Sequence, residues 1–222
     1  MTEEVRGAVQ GVLIVVAALF PIVNPLGNAP FFLALTTDLD DAARRVLARK
    51  VAINGFVLLV AAIFFGDYVL NFFGISVPVV QLAGGLVLAS LGWNRLNQST
   101  DAAPPQHSES AGALEAKAFY PLTLPMTVGP GSISVAVTLG ANFPSTVQPF
   151  IADASSAVVG AFLVCLSTFV CFAFAERISK SLGPGGLAVV MRLSAFILLC
   201  IGVQIMWNGA DALFGITKMN PP

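Results

Sequence analysis

Long apolar runs separated by short polar interruptions make up almost the whole chain, and the runs have membrane length. A helix crosses a bilayer with about 20 predominantly apolar residues. Six stretches reach that size, at 9–35, 46–65, 75–96, 118–141, 154–175 and 187–214. A more polar segment, 97–117, carries Pro104-Pro105 with several Ser, Glu and Ala residues and divides the six into two sets of three. Two of the six are not plain helices. The first contains Pro21, Pro25 and Pro30, and the fourth contains Pro121, Pro125 and Pro130 with nearby glycines. Proline removes a backbone N–H and clashes with the preceding turn, so both spans are predicted to break.

The two broken spans match each other. Phe20-Pro21-Ile22-Val23-Asn24-Pro25-Leu26-Gly27-Asn28-Ala29-Pro30 has a counterpart 100 residues later, Tyr120-Pro121-Leu122-Thr123-Leu124-Pro125-Met126-Thr127-Val128-Gly129-Pro130. Three prolines recur in register, with an aromatic residue before the first in each copy. A weaker match links 83–92 with 193–202. Spans one to three thus correspond to spans four to six. Three is odd, so the second set enters from the opposite side, an inverted-topology repeat of the kind used by secondary transporters. The predicted fold is an all-α integral membrane protein of six transmembrane helices in two inverted three-helix repeats, with the first and fourth spans broken. It forms one domain: repeat one about 7–97, a cytoplasmic loop at 98–117, and repeat two about 118–214.

Composition agrees. The chain is 56% hydrophobic and 10% charged, with mean hydropathy +0.85, against about 25% charged residues in a soluble domain. The net charge of −1 leaves no basic field for nucleic acid. Cys165, Cys171 and Cys200 lie in apolar stretches without a C-x-x-C pair and read as packing residues. A single histidine, His107, argues against a His-based metal site. The start of the chain, with Glu3, Glu4 and Arg6 ahead of the apolar run and no A-x-A-like cleavage site, reads as a retained span.

The breaks suggest a site. Freed carbonyls are costly in hydrocarbon unless protein, water or a ligand satisfies them, so 24–30 and 125–131 should face the protein interior or a wet cavity. Small and polar residues accompany them: Asn24, Gly27, Asn28 and Ala29 in one, Thr127, Gly129, Gly131 and Ser132 in the other. Pro30 and Pro130 suit the first position of a restarting helix. Such helix starts offer N–H groups and the positive end of a dipole, and the preceding half-helices end in free carbonyls. Both kinds of group together suit a small zwitterion, with its carboxylate on the N–H groups and its ammonium on the carbonyls. A plain kink that lets helices pack is the alternative. The first break lies off-centre, toward the inner side, and 31–37 fits either a short half-helix or part of a re-entrant turn.

Ionisable residues within spans are functional candidates by default. Arg192 lies six residues into the sixth span, where it either snorkels to the inner surface or lines the path. Gln81, Gln204 and Asn208 suit hydrogen bonds between helices, and Asp67, Asp153 and Asp211 sit at outer ends. No carboxylate lies mid-span, so coupling to H⁺ or Na⁺ is open, and no cofactor is implied. The absence of a His, Cys or carboxylate cluster at membrane depth disfavours an enzyme.

The segments Asn24-Pro25-Leu26-Gly27-Asn28-Ala29-Pro30-Phe31-Phe32 and Pro121-Leu122-Thr123-Leu124-Pro125, running on to Gly129-Pro130-Gly131, resemble the two hallmark segments of the MarC/SnatA family. Phe73-Gly74-Ile75-Ser76, Ala83-Gly84-Gly85 and Gly202-Val203-Gln204 are similar to it as well. That family comprises bacterial and archaeal inner-membrane proteins related to the LysE-type amino-acid exporters. The resemblance implies transport of glycine, alanine and similar small neutral amino acids. It also places the substrate region at Asn24, Pro25, Gly27, Asn28 and Pro30 with Pro125, Gly129, Pro130 and Gly131; Thr127 and Ser132 join it by position. Family members often carry Arg where this chain has Gln81, one Arg per half with Arg192 as the mate. Gln81 and Arg192 are therefore candidates for gating or the path, and if the arginine pair serves coupling or gating this chain departs from the pattern at Gln81. The function expected is a secondary transporter bound to its small-molecule substrate at the midplane; a channel or facilitator for another small polar solute is the alternative.

Orientation follows from charge. With the N-terminus outside, the inner segments 36–45, 97–117 and 176–186 and their flanks hold Arg44, Arg45, Arg49, Lys50, Arg95, Lys117, Arg177, Lys180 and Arg192, nine cations against Arg6 and Lys218 outside. Excess Lys and Arg mark the cytoplasmic side, so both termini should be periplasmic. A C-terminal alkaline phosphatase fusion is expected to be active and a green fluorescent protein fusion dark; the reverse would invert the orientation.

Overall fold

The computed structural model describes residues 3–37, 39–97, 118–143 and 147–215. The segment 98–117, with Pro104, Pro105, His107 and Lys117, and Lys218 near the C-terminus lie outside the described residues. Among the described residues the fold is all-helical. Its elements are α1 (Glu3–Val23), α2 (Pro25–Ala34), α3 (Asp41–Phe72), α4 (Val77–Asn97), α5 (Ala118–Thr127), α6 (Pro130–Ala141), α7 (Val147–Ala173) and α8 (Ala175–Phe214). Five lengths are apolar and long enough to cross a membrane: Arg6–Ala34, Asp41–Phe72, Val77–Asn97, Phe150–Ala173 and Gly185–Phe214. The pair α5–α6, bent by 69° at its break, makes a sixth when the two are taken as one span, the other form of such a pair being a re-entrant loop.

The breaks fall where prolines constrain the preceding residue, which is pushed out of the α region. In the first span this happens once, at Asn24, which adopts φ 49, ψ 59. Pro25 then opens α2, and Pro30 lies inside that helix. The expectation that Pro30 would start the restarted helix is therefore wrong for this half: Asn24, whose side chain caps the new turn, moves the restart five residues earlier. In the fourth span Tyr120 and Leu124 are both extended, and α5 between and around them is wound loosely, with Val128 N–H bonded five residues back to Thr123 O at 2.8 Å. Gly129 caps α6 and Pro130 is its first residue, as the sequence suggested. The 31–37 segment completes α2 and then turns at 35–37.

Helices run past the apolar limits because polar residues at their ends still favour helix. Asp40 caps α3, accepting from Ala43 N–H at 2.7 Å. The segment 176–186, expected as a loop, is the first part of α8, interrupted at Gly183, whose φ of 64 suits glycine. Arg44, buried on α3, joins these two regions. It donates to Asp41 and Glu176 carboxylates at 3.1 and 3.0 Å and to the Thr36 and Leu39 carbonyls. Segments 36–45 and 176–180 are thus on one side of the molecule. Lys180, first, and then Arg44 hold the exposed Glu176 carboxyl below its usual range.

Packing depends on close backbone approach. The most extensive contact, α4 on α8, is made of small residues: a Cβ on Gly85 would lie 2.5 Å from Met206 N, and one on Gly92 2.5 Å from Leu199 N. Gly85 and Ala89 face Gly202 across this contact, whereas Gly84 faces α6, where a Cβ would lie 2.6 Å from Ser134 Cβ. Gly11 and Gly160 bring α1 onto α7 in the same way. Apolar clusters fill the remainder. One joins α1, α3, α6 and α7 around Leu19, Leu59 and Val164. A second joins α2, α3, α5 and α7 around Phe32, whose ring stacks on Phe172 at 4.4 Å. Gly85→Val should force α4 and α8 apart and cost about 3 kcal/mol, seen as a lowered unfolding midpoint in detergent. Gly7→Ala, whose Cβ would meet nothing within 4 Å, should leave the midpoint unchanged.

Candidate functional site

The two broken spans meet at Asn28. Its side chain is 1% exposed. The α1 helix ends at Val23, leaving that carbonyl without its usual partner, because Gly27 N–H turns instead to the Asn24 side chain at 3.1 Å. Asn28 Nδ2 takes up the Val23 carbonyl at 2.8 Å. The same NH₂ group donates to the Met126 carbonyl, 98 positions away in the other broken span, at 2.9 Å. Its Oδ1 accepts from Arg95 Nη1 at 2.7 Å, a short charge-assisted bond. The two donated bonds and the one accepted fix which end of the amide is oxygen.

Arg95 comes from the last turn of α4. It is half-buried, and its guanidinium lies 5.1 Å from the centre of the Phe31 ring, which stabilises the cation by about 0.5–2 kcal/mol. Asn28, Arg95, Pro125, Thr127, Gly129, Gly131 and Ser132 surround one cavity, closed by apolar side chains including Ile22, Leu88 and Leu198. The cavity is about 20 Å³, room for about one water. The other polar groups around it are internally satisfied. Thr127 Oγ1 donates to Leu122 O at 2.7 Å, and Ser132 Oγ accepts from Gly129 N–H at 2.9 Å, closing the start of α6.

Of the residues singled out from sequence, the structure gathers Asn28, Pro125, Thr127, Gly129, Gly131 and Ser132 around this cavity and leaves the rest outside its wall. Asn24 and Pro25 form the break behind it. Gly27 is buried where a Cβ would lie 2.5 Å from the Asn24 amide and 2.7 Å from Ser194 Cβ. Pro30 is half-buried within α2, and Pro130 is exposed at the start of α6. Gln81 bonds Thr138 Oγ1 at 3.2 Å between α4 and α6. Arg192 is exposed on α8. Neither lines the cavity. Gln204 and Asn208 bond each other at 2.8 Å along one turn of α8, a pairing within the helix and not between helices as expected.

Arg95 was counted from sequence only as an inward charge. The signal was present: it lies within the apolar run 75–96, where an ionisable residue is a candidate by default. It lies at the end of that run, and only the packing of both α2 and α4 on α8 brings its side chain to Asn28.

The matching family description, MarC family integral membrane protein, extends over residues 9–214. The chain belongs to the MarC family. It is 30% identical over 202 residues to the membrane protein YvbG of Bacillus subtilis, covering 90% of this chain and 93% of that one. It is 32% identical over 203 residues to the inner membrane protein MarC of Salmonella typhimurium, covering 86% and 90%. No solved structure matches. With its apolar helices this makes it a multi-pass integral membrane protein, of the family the hallmark segments resembled.

Asn28→Ala removes the partner of two carbonyls and of a guanidinium. It should cost about 2–4 kcal/mol, measured as a fall in the unfolding midpoint in detergent. An unchanged midpoint would mean that the network contributes nothing to holding the broken spans together.

Proposed function

We propose that this protein is a secondary transporter of the inner membrane that moves small neutral amino acids, of the glycine, alanine and serine class, and binds them between its two broken spans, with both termini periplasmic. One observation carries the reading. A half-buried guanidinium and two backbone carbonyls converge on one polar side chain at the junction of the breaks. Donors of positive charge on one side and carbonyl acceptors on the other are what a zwitterion needs. The small residues Gly129, Gly131 and Ser132 around the cavity suit a small side chain.

Further support comes from the packing. α1 lies on α7 as α5 lies on α3, α2 lies on α8 as α6 lies on α4, and the corresponding helices α4 and α8, like α3 and α7, pack on each other. Such reciprocal pairing is what two halves related by a two-fold axis would give, and an inverted repeat is the usual basis of alternating access. The 20 Å³ cavity is too small for an amino acid, which favours a carrier caught closed over a standing pore for another polar solute. The inner-membrane location is carried over from the Salmonella relatives, which are named as inner membrane proteins.

Purified protein in liposomes should take up labelled glycine, alanine or serine, with trans-stimulation by unlabelled substrate as a carrier requires; imposed pH and Na⁺ gradients would identify the coupling ion. Uptake of none of the three would end the proposal. Gly129 sits in the cavity wall, where a Cβ would already lie 3.0 Å from Pro125 O. Gly129→Leu should therefore lower uptake at least tenfold, and wild-type uptake by this variant would place the path elsewhere.

A further inference from the structure

We propose that the Asn28 carboxamide is a built-in stand-in for the substrate: it holds the place of an α-amino acid's charged end, with Arg95 as the carboxylate receptor, and a bound amino acid displaces it. The inference rests on the transport reading and adds to it the receptor group and the geometry of the substrate class.

Polarity carries the argument. The oxygen of the Asn28 carboxamide faces the Arg95 guanidinium at 2.7 Å, and its NH₂ faces the carbonyls of Val23 and Met126 at 2.8 and 2.9 Å. An α-amino acid carries the same sequence of groups, oxygen acceptors at one end and N–H donors at the other, one bond further apart and fully charged. The contacts to the two carbonyls become charge-assisted, about twice as strong as neutral ones, and the guanidinium exchanges one bond to a neutral oxygen for an ion pair with a carboxylate. The ammonium has three donors where the amide has two, enough for both carbonyls with one to spare.

Arg95 is poorly compensated without a ligand. The guanidinium has five donors, and among the described residues its contacts are the neutral Asn28 oxygen and the face of Phe31. No carboxylate among the described residues forms an ion pair with it; the described pairs all involve Arg44 or Lys180. A cation removed from water is costly until a counter-charge reaches it, and a carboxylate supplies one in bidentate geometry. The site reads two charges of fixed separation, so it should prefer α-amino acids to amines or simple carboxylates. Moving Asn28 aside vacates its volume for the ligand and also releases the bond to Met126. Binding and loosening of the tie between the two broken spans are then one event.

The test separates binding from flux. The unfolding midpoint of the detergent-solubilised protein is followed against alanine, alaninamide, which lacks the carboxylate, and propionate, which lacks the ammonium. Alanine should raise the midpoint, and the other two at equal concentration should not. Arg95→Gln keeps a donor for the Asn28 oxygen and should raise the half-saturating alanine concentration about ten- to hundredfold. Asn28→Ala removes the competitor, so alanine should lift that variant's lowered midpoint further than it lifts the wild type's. The inference is overturned if alanine gives no stabilisation, if alaninamide matches alanine, if Arg95→Gln binds alanine within twofold of wild type, or if Asn28→Ala loses alanine binding. Stabilisation by alanine with no uptake into liposomes would leave the receptor standing and remove the transport reading.

Discussion

Backbone groups released by proline inside an apolar medium must find partners within the protein, and the organisation of this molecule depends on how they do. In water a freed carbonyl is solvated at little cost. In hydrocarbon it costs several kcal/mol. Val23 and Met126 end interrupted stretches in two different spans, and one amide side chain, Asn28, serves both. That shared debt draws the breaks together. Thr123 and Thr127 answer the same constraint locally, each donating to a carbonyl five residues back in the loosely wound α5.

The remaining architecture brings those two spans into register. Gly85, Gly92 and Gly202 allow α4 and α8 to touch backbone to backbone. Leu88 and Leu198 from those helices help to close the cavity, and the last turn of α4 supplies Arg95. At the other end of α2, Arg44 binds the turn after that helix to the beginning of α8 through Glu176. Both arginines are drawn into the protein, but their partners differ. Arg44 meets two carboxylates and two carbonyls, whereas Arg95 meets a neutral amide and an aromatic ring among the described residues. The charge of Arg44 is met by carboxylates, though its Nε is buried without a hydrogen bond. Arg95 has no carboxylate partner among the described residues, and under the proposed function this difference, rather than burial, makes it the anion receptor.

The aligned prolines show how far internal repetition can be trusted. Pro25 and Pro125 both follow a non-helical residue, as their identical positions suggested. Pro30 and Pro130 do not share a role: one lies within α2, the other begins α6. The residue two ahead of each decides this. Asn28 is held in helix by its bonds to Val23 and Met126, and Val128 bonds back to Thr123 and ends the loose turn. Proline sets where a break is permitted, and the neighbouring side chain sets where it occurs.

By itself the sequence determined the membrane class, the six apolar lengths, the two broken spans and the family, because these follow from apolar run length and from proline's missing N–H, which are local properties of the chain. It also placed Asn28, Thr127, Gly129, Gly131 and Ser132 at the breaks. Only the tertiary structure decided that Asn28 would bridge the two spans, that Arg95 would turn inward to meet it, and that Gln81 and Arg192 would lie away from the cavity. Those outcomes depend on which helix lies beside which: Asn28 meets Met126 across 98 residues of chain, and Arg95 reaches it across 67. No local pattern carries such a distance.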